Sequence, residues 1–175
     1  MGTVLALKDS KGLMWWMVPL LFIGAASLHS ASNLINDVED YQLGFDSHEY
    51  PGSSGMFASG VLTMRHIRVE IIISLAVSFA CASILTFVRG GVAGILFICG
   101  VLAAYGYSGR PLRLKYRGMG DICVFFMMGP GILGGTYYIL TGSIAPDILL
   151  ISFVPGFMVT AVLHSNNIRD MEHDR

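Results

Sequence analysis

Five stretches of this sequence carry no charged residue: Leu13–Ser32, Ile71–Val88, Gly90–Gly109, Ile122–Pro146 and Ile148–Ile168. Each reaches the length of about 18 to 20 residues that a helix rising 1.5 Å per residue needs to cross a hydrocarbon core. In lipid every backbone polar group must be satisfied internally, so only helices or a closed barrel can span. None of the stretches alternates with the period of two that a barrel strand requires. The expected fold class is therefore all-α, a polytopic transmembrane helical bundle with five spans. The rest of the composition agrees. Charged residues make up 13% of the chain, about half the usual share of a soluble domain, and the mean hydropathy is +0.64. Eleven basic and twelve acidic residues nearly cancel, which removes nucleic acid as a general partner. Cys81, Cys99 and Cys123 lie in or beside apolar stretches without metal-ligand or pairing spacing, and read as small buried hydrophobes.

The connections are unequal. Arg89 alone separates the second and third stretches, and Asp147 alone separates the fourth and fifth. The remaining polar segments, 33–70, 110–121 and 169–175, all emerge on one side of an alternating bundle. That side holds Arg65, Arg68, Arg110, Arg113, Lys115, Arg117, Arg169 and Arg175, against Lys8, Lys11 and Arg89 on the other. The excess of basic residues puts the polar segments in the cytoplasm. It also leaves the amino terminus, with two lysines, outside.

Two of these segments prolong a span as a polar helix face. Asn33, Asn36, Asp37 and Asp40 fall at i, i+3, i+4 and i+7, with His29 one turn earlier. Asn166, Asp170 and Asp174 repeat the pattern at i, i+4 and i+8, with Asn167 alongside. Like charges one turn apart repel, and each acid costs more as it nears the membrane interior. Two such clusters on one side call for a counter-charge. Oxygen ligands without cysteine, too few to close a cage, suit Mg²⁺, which fills its remaining positions with water and phosphate oxygens. The pattern points to a diphosphate bridged by Mg²⁺ between two helix ends. The middle segment supplies positive charge: Arg110, Arg113, Lys115 and Arg117 fall within eight residues, among the turn formers Pro111, Gly118 and Gly120. Such a loop can neutralise a departing diphosphate.

These motifs together resemble the UbiA superfamily of intramembrane aromatic prenyltransferases. Asn33-Leu-Ile-Asn36-Asp37-Val-Glu-Asp40 followed by Gly44-Phe45-Asp46 is similar to the first motif of the branch that prenylates 1,4-dihydroxy-2-naphthoate in the menaquinone pathway. Pro111–Asp121, Gly134–Gly142 and Asn166-Asn-Ile-Arg169-Asp170-xxx-Asp174 resemble that branch too. The resemblance implies an Mg²⁺-dependent transferase with Asp37, Asp40, Asp170 and Asp174 as metal ligands. It implies a polyprenyl diphosphate donor and an aromatic acceptor, 1,4-dihydroxy-2-naphthoate or an alternative such as 4-hydroxybenzoate, met in the lipid bilayer. Substrate contacts are expected from Asn33, Asn36, Asp46, Tyr107, Arg113, Lys115, Arg117, Asn166, Asn167 and Arg169. His29 and His164 are open between substrate contact and a bond between helices. The family's bundles commonly have nine spans, so residues 1–175 are expected to form one such domain, incomplete at both ends, with Met1–Gly12 as the tail of an earlier helix. Residues 52–60 lack the arginine that relatives often carry near the phosphates.

A divalent-cation carrier using the same carboxylates is the alternative of a different class. Carriers hold their ions near the bilayer midplane, whereas these acids sit at span ends beside a basic loop.

Overall fold

The computed structural model describes residues 1–9, 13–44 and 63–170, and of Asp9, Arg169 and Asp170 the backbone. A short helix α1 (Gly2–Asp9) precedes α2 (Met17–Leu43), α3 (Met64–Arg89) and α4 (Gly91–Ser108). A loop with a 3₁₀ turn at Lys115–Arg117 leads to α5 (Gly120–Phe126), which runs through a π-helical segment (Met127–Gly134) into α6 (Gly135–Thr141). The last helix is α7 (Pro146–Asp170). No strand occurs among the described residues. Five helices, counting Gly120–Thr141 as one, are long and apolar enough to cross a membrane, and the chain is an integral membrane protein.

The surface shows which solvent the bundle is built for. Phe22, Phe79, Phe87, Leu150 and Phe157 stand exposed on the span flanks, Phe87 at 91%. Large apolar side chains around a whole girdle face lipid rather than water. Between helices the contacts use small residues instead. Ser74, Ser78 and Cys81 are buried on the face of α3 that packs against α2, and a Cβ on Gly24 would stand 3.1 Å from the Cys81 Cβ. This close approach supplies packing that the hydrophobic effect cannot give between helices already in an apolar medium.

The buried apolar cluster gathers one end of the bundle: Ala6 from α1, Met17 from the start of α2, Leu85 from the end of α3, Ala93 from the start of α4, Tyr137 and Leu140 from α6, and Ile148 from the start of α7. The polar motifs are at the opposite helix ends. Arg89 closes the apolar end, its guanidinium donating to the Ile139 carbonyl and, at 2.6 Å, to that of Leu140. These are carbonyls of the last turn of α6, which no later turn of that helix can satisfy. Arg89 thus does more than separate two spans. The fourth and fifth spans are joined not at Asp147 but through residues 142–145, where Gly142 takes φ +77°. Asp147 lies in the first turn of α7, where a carboxylate complements the helix dipole.

The fourth span is not the plain α-helix its apolar run suggests. Pro130 has no N–H to donate and sits among Gly129, Gly131, Gly134 and Gly135, so the ladder widens to π geometry for eight residues. This segment crosses α7 at near backbone contact. A Cβ on Gly129 would lie 2.5 Å from the Ser152 carbonyl oxygen and 3.1 Å from the Gly156 Cα. Gly129→Ala is therefore expected to cost about 1–3 kcal/mol, read as a lower melting temperature in detergent. Gly134→Ala, whose Cβ would meet nothing within 4 Å, should not lower it.

Candidate functional site

The apolar run of the first span ends at Ser32, yet α2 continues to Leu43 and stops at Gly44, whose φ of +80° lets its N–H cap the Asp40 and Tyr41 carbonyls. That extension carries the first acidic motif. Asp37 and Asp40 are both buried. Asn36 Nδ2 donates to Asp40 Oδ2 at 2.8 Å, one turn along the helix. Ser108, the last residue of α4, donates to Asn36 Oδ1 at 2.7 Å. Asn33 lies 3.4 Å from the His29 ring on the same helix, so His29 finds its partner one turn away.

The basic loop folds back onto this face. Its backbone returns to α4 through Arg113 N–H to Gly109 O at 3.0 Å and Leu114 N–H to Gly106 O at 3.1 Å. Gly118 at φ +73° and Arg113 at φ +48° turn the chain. A left-handed arginine costs about 1–2 kcal/mol. An ion pair of Arg113 with Glu39 holds it there, and Arg110 lies 3.8 Å from the same carboxylate. Lys115 reaches deepest. Its Nζ donates to Asn36 Oδ1 at 3.0 Å and to Asp40 Oδ1 and Oδ2 at 2.9 and 2.7 Å. Tyr116 donates to Asp40 Oδ1 at 2.6 Å. Burial, and then the bond to Asp40, push the Tyr116 phenol well above its ordinary range, so it remains a donor at every physiological pH. Arg117 instead donates to the Pro111 carbonyl at 3.2 Å and braces its own loop.

Three oxygens thus converge on one cation, Lys115 Nζ, in a half-buried setting. Within such a pair, removing either charge strands the other, and breaking one costs several kcal/mol even though the intact pair adds little net stability.

The end of α7 lies at the same end of the bundle. Tyr107, Lys115, Gly118, Gly120, Asp121, His164, Asn167 and Ile168 line a cavity of about 310 Å³, so the basic loop and the described end of α7 meet at one cavity. His164 Nδ1 is 2.9 Å from Asp121 Oδ2, and Thr160 Oγ1 reaches the Asp121 carbonyl at 3.5 Å. Asn166 and Asn167 are exposed. Arg169 and Asp170 form the last residues of α7. Asp46 and Asp174 lie outside the described residues, as do residues 52–60. Among the described residues, no three His, Cys, Asp or Glu side chains cluster closely enough to hold a metal ion by themselves.

Sequence reasoning missed three participants. Ser108 and Tyr116 bind the first motif across more than seventy residues, and nothing local distinguishes them from other polar residues at a span end or in a turn. Asp121 was visible as the end of the loop motif, but its bond to His164 is a product of the helix crossing.

The whole chain, residues 1–175, matches the family model described as the UbiA prenyltransferase family. It is 31% identical over 172 residues to a 1,4-dihydroxy-2-naphthoate octaprenyltransferase of Haemophilus influenzae, covering 95% of this chain and 56% of that protein. With the protein of the same description from Escherichia coli it shares 31% identity over 188 residues, covering 97% and 59%. The human UbiA prenyltransferase domain-containing protein 1 is 28% identical over 181 residues, covering 100% and 52%. The chain spans about half the length of these curated relatives. No solved structure gives a significant match.

Proposed function

Because the chain belongs to the UbiA prenyltransferase family, we propose that it transfers a polyprenyl group from polyprenyl diphosphate to 1,4-dihydroxy-2-naphthoate, the carbon–carbon bond-forming step toward menaquinone. The observation that carries this reading is the oxygen cradle of Asn36 and Asp40 around Lys115, a residue that also lines the cavity reached by the end of α7. The donor set fits Mg²⁺: carboxylate and amide oxygens, already gathered around a positive charge. Asp37, Asp40, Asp170 and Asp174 would hold it. Bound there, Mg²⁺ supplies positive charge against the donor's diphosphate and the leaving pyrophosphate.

The chain's own residues do the rest. Lys115 neutralises Asp40. Lys115 and a metal would compete for Asp40, and the Lys115 ammonium would stabilise charge growing on the leaving oxygen of the diphosphate. Arg113, Arg117 and Arg169 add to the positive field at this end, with Arg113 fixed by Glu39. Asn33, Asn36, Asn166 and Asn167 offer amide donors to phosphate oxygens, and Asp46 extends the first motif. Tyr107 lines the cavity and orients the acceptor ring. The positive-inside distribution of arginines supports a cytoplasmic position for this end, and the isoprenoid tail would lie along the lipid-facing helices.

Calorimetry separates this reading from a cation carrier. Pyrophosphate should tighten Mg²⁺ binding about tenfold or more, because the anion completes the coordination shell. Mg²⁺ binding unaffected by pyrophosphate would favour the carrier.

A further inference from the structure

The cavity lined by Lys115 is also lined by an Asp–His pair. Asp121 is the second residue of α5, and His164 lies toward the end of α7. His164 Nδ1 stands 2.9 Å from Asp121 Oδ2. With Asp121 beside Nδ1, Nε2 is the ring nitrogen left to meet a ligand. His164 is largely exposed to the cavity side, while Asp121 is about two-thirds buried, so the pair has an anchored acid and an accessible imidazole. Among the described residues, the other titratable groups on this cavity are Lys115 and Tyr107. Lys115 is already engaged with Asp40.

We propose that His164 is the base that activates the aromatic acceptor, with Asp121 as its positioning residue. This rests on the prenyl-transfer reading above. An aromatic ring becomes a stronger carbon nucleophile when its hydroxyl loses a proton. His164 Nε2 takes that proton, and the oxygen's electron pair moves into the ring. The ring carbon bonds to the allylic carbon as the carbon–oxygen bond to diphosphate breaks, and that electron pair leaves with pyrophosphate. The ring carbon now carries both the prenyl group and the carboxylate. Loss of CO₂ returns the electrons of that bond to the ring and regenerates a naphtholate oxygen, which recovers the proton from His164. The proton is borrowed and returned, so the transfer consumes no external acid or base. An acceptor that loses a ring hydrogen instead of CO₂ leaves one proton to be released to solvent.

The test is His164→Gln in the native protein carrying this sequence, assayed in membranes. Glutamine keeps a hydrogen-bonding group beside Asp121 but cannot accept the proton. The expected result is a fall in kcat of about 10²-fold or more, a KM for the donor within about twofold of wild type, and loss of the acid limb of the kcat–pH profile. Added imidazole should restore part of the rate. Should that variant fail to accumulate, Asp121→Asn reads the same step, with an expected loss of about tenfold and an altered acid limb. Either variant with kcat within about threefold and an unchanged pH profile would reduce the pair to a clamp between α5 and α7. A wild-type protein that transfers no prenyl group to any hydroxylated aromatic overturns the reaction reading and the base together.

Discussion

Alanine at Asp37 or at Asp170 is expected to lower turnover at saturating donor by at least about 10²–10³-fold. Asp37 is buried on the polar face that ends α2, and Asp170 ends α7 beyond the cavity-lining Asn167. Each is the leading acid of its motif, and a carboxylate that ligates Mg²⁺ has no neighbour able to replace it in the same geometry. Both variants should also lose the Mg²⁺ dependence of donor binding. Asp147→Ala is the matched control, because Asp147 starts α7 at the apolar end of the bundle, and it should keep near-normal turnover. Steady-state assays of the three variants across an Mg²⁺ series give the comparison. Near-normal rates for both motif variants would remove the metal–diphosphate role from these residues.

Lys115→Ala should split two quantities that usually move together. Its ammonium sits on Asp40, so its removal leaves a buried carboxylate uncompensated. Side-chain exposure of 31% for Lys115 against 11% for Asp40 places the loss toward the low end of the range of about 3–5 kcal/mol. Mg²⁺ can then take the vacated cradle without competition, so it should bind more tightly and raise the melting temperature of the variant more than that of the wild type. Turnover should nevertheless fall by about 10²-fold, because the proposed mechanism uses the same ammonium on the diphosphate. Lys115→Arg should recover only part of the rate, since a planar guanidinium cannot replace a compact point charge inside a three-oxygen cradle. If Mg²⁺ stabilises the alanine variant no more than the wild type, Lys115 does not compete with the metal for Asp40.

Much of this arrangement was legible in the sequence. Charge-free length located the spans, helical spacing carried Asn33–Asp40 onto one face of α2, and span parity put the first acidic motif, the basic loop and the described end of α7 at one end. Interactions whose partners are far apart in the chain were not legible. The grip of Lys115 on Asn36 and Asp40 appears in the sequence only as one basic residue among four. Arg89 reads as a one-residue connector because its role, capping Ile139 and Leu140, depends on where α6 happens to end. The π segment was hidden for a different reason. An apolar run with Pro130 and several glycines is compatible with a kinked helix, a break or a widened one, and the close crossing at Gly129 and Gly156 selects among them. Charge alternation assigned the connector of the last two spans to Asp147, whereas the turn is made by backbone freedom at Gly142.

The central claim is tested most directly by the product. Membranes containing the native protein with this sequence are supplied with Mg²⁺, a labelled polyprenyl diphosphate, and either 1,4-dihydroxy-2-naphthoate or 4-hydroxybenzoate. Prenyl transfer to the naphthoate, with one CO₂ released for each prenyl group transferred and at least about tenfold preference over the benzoate, is the predicted result. A protein that prenylates neither acceptor, or that prefers 4-hydroxybenzoate, would contradict the account.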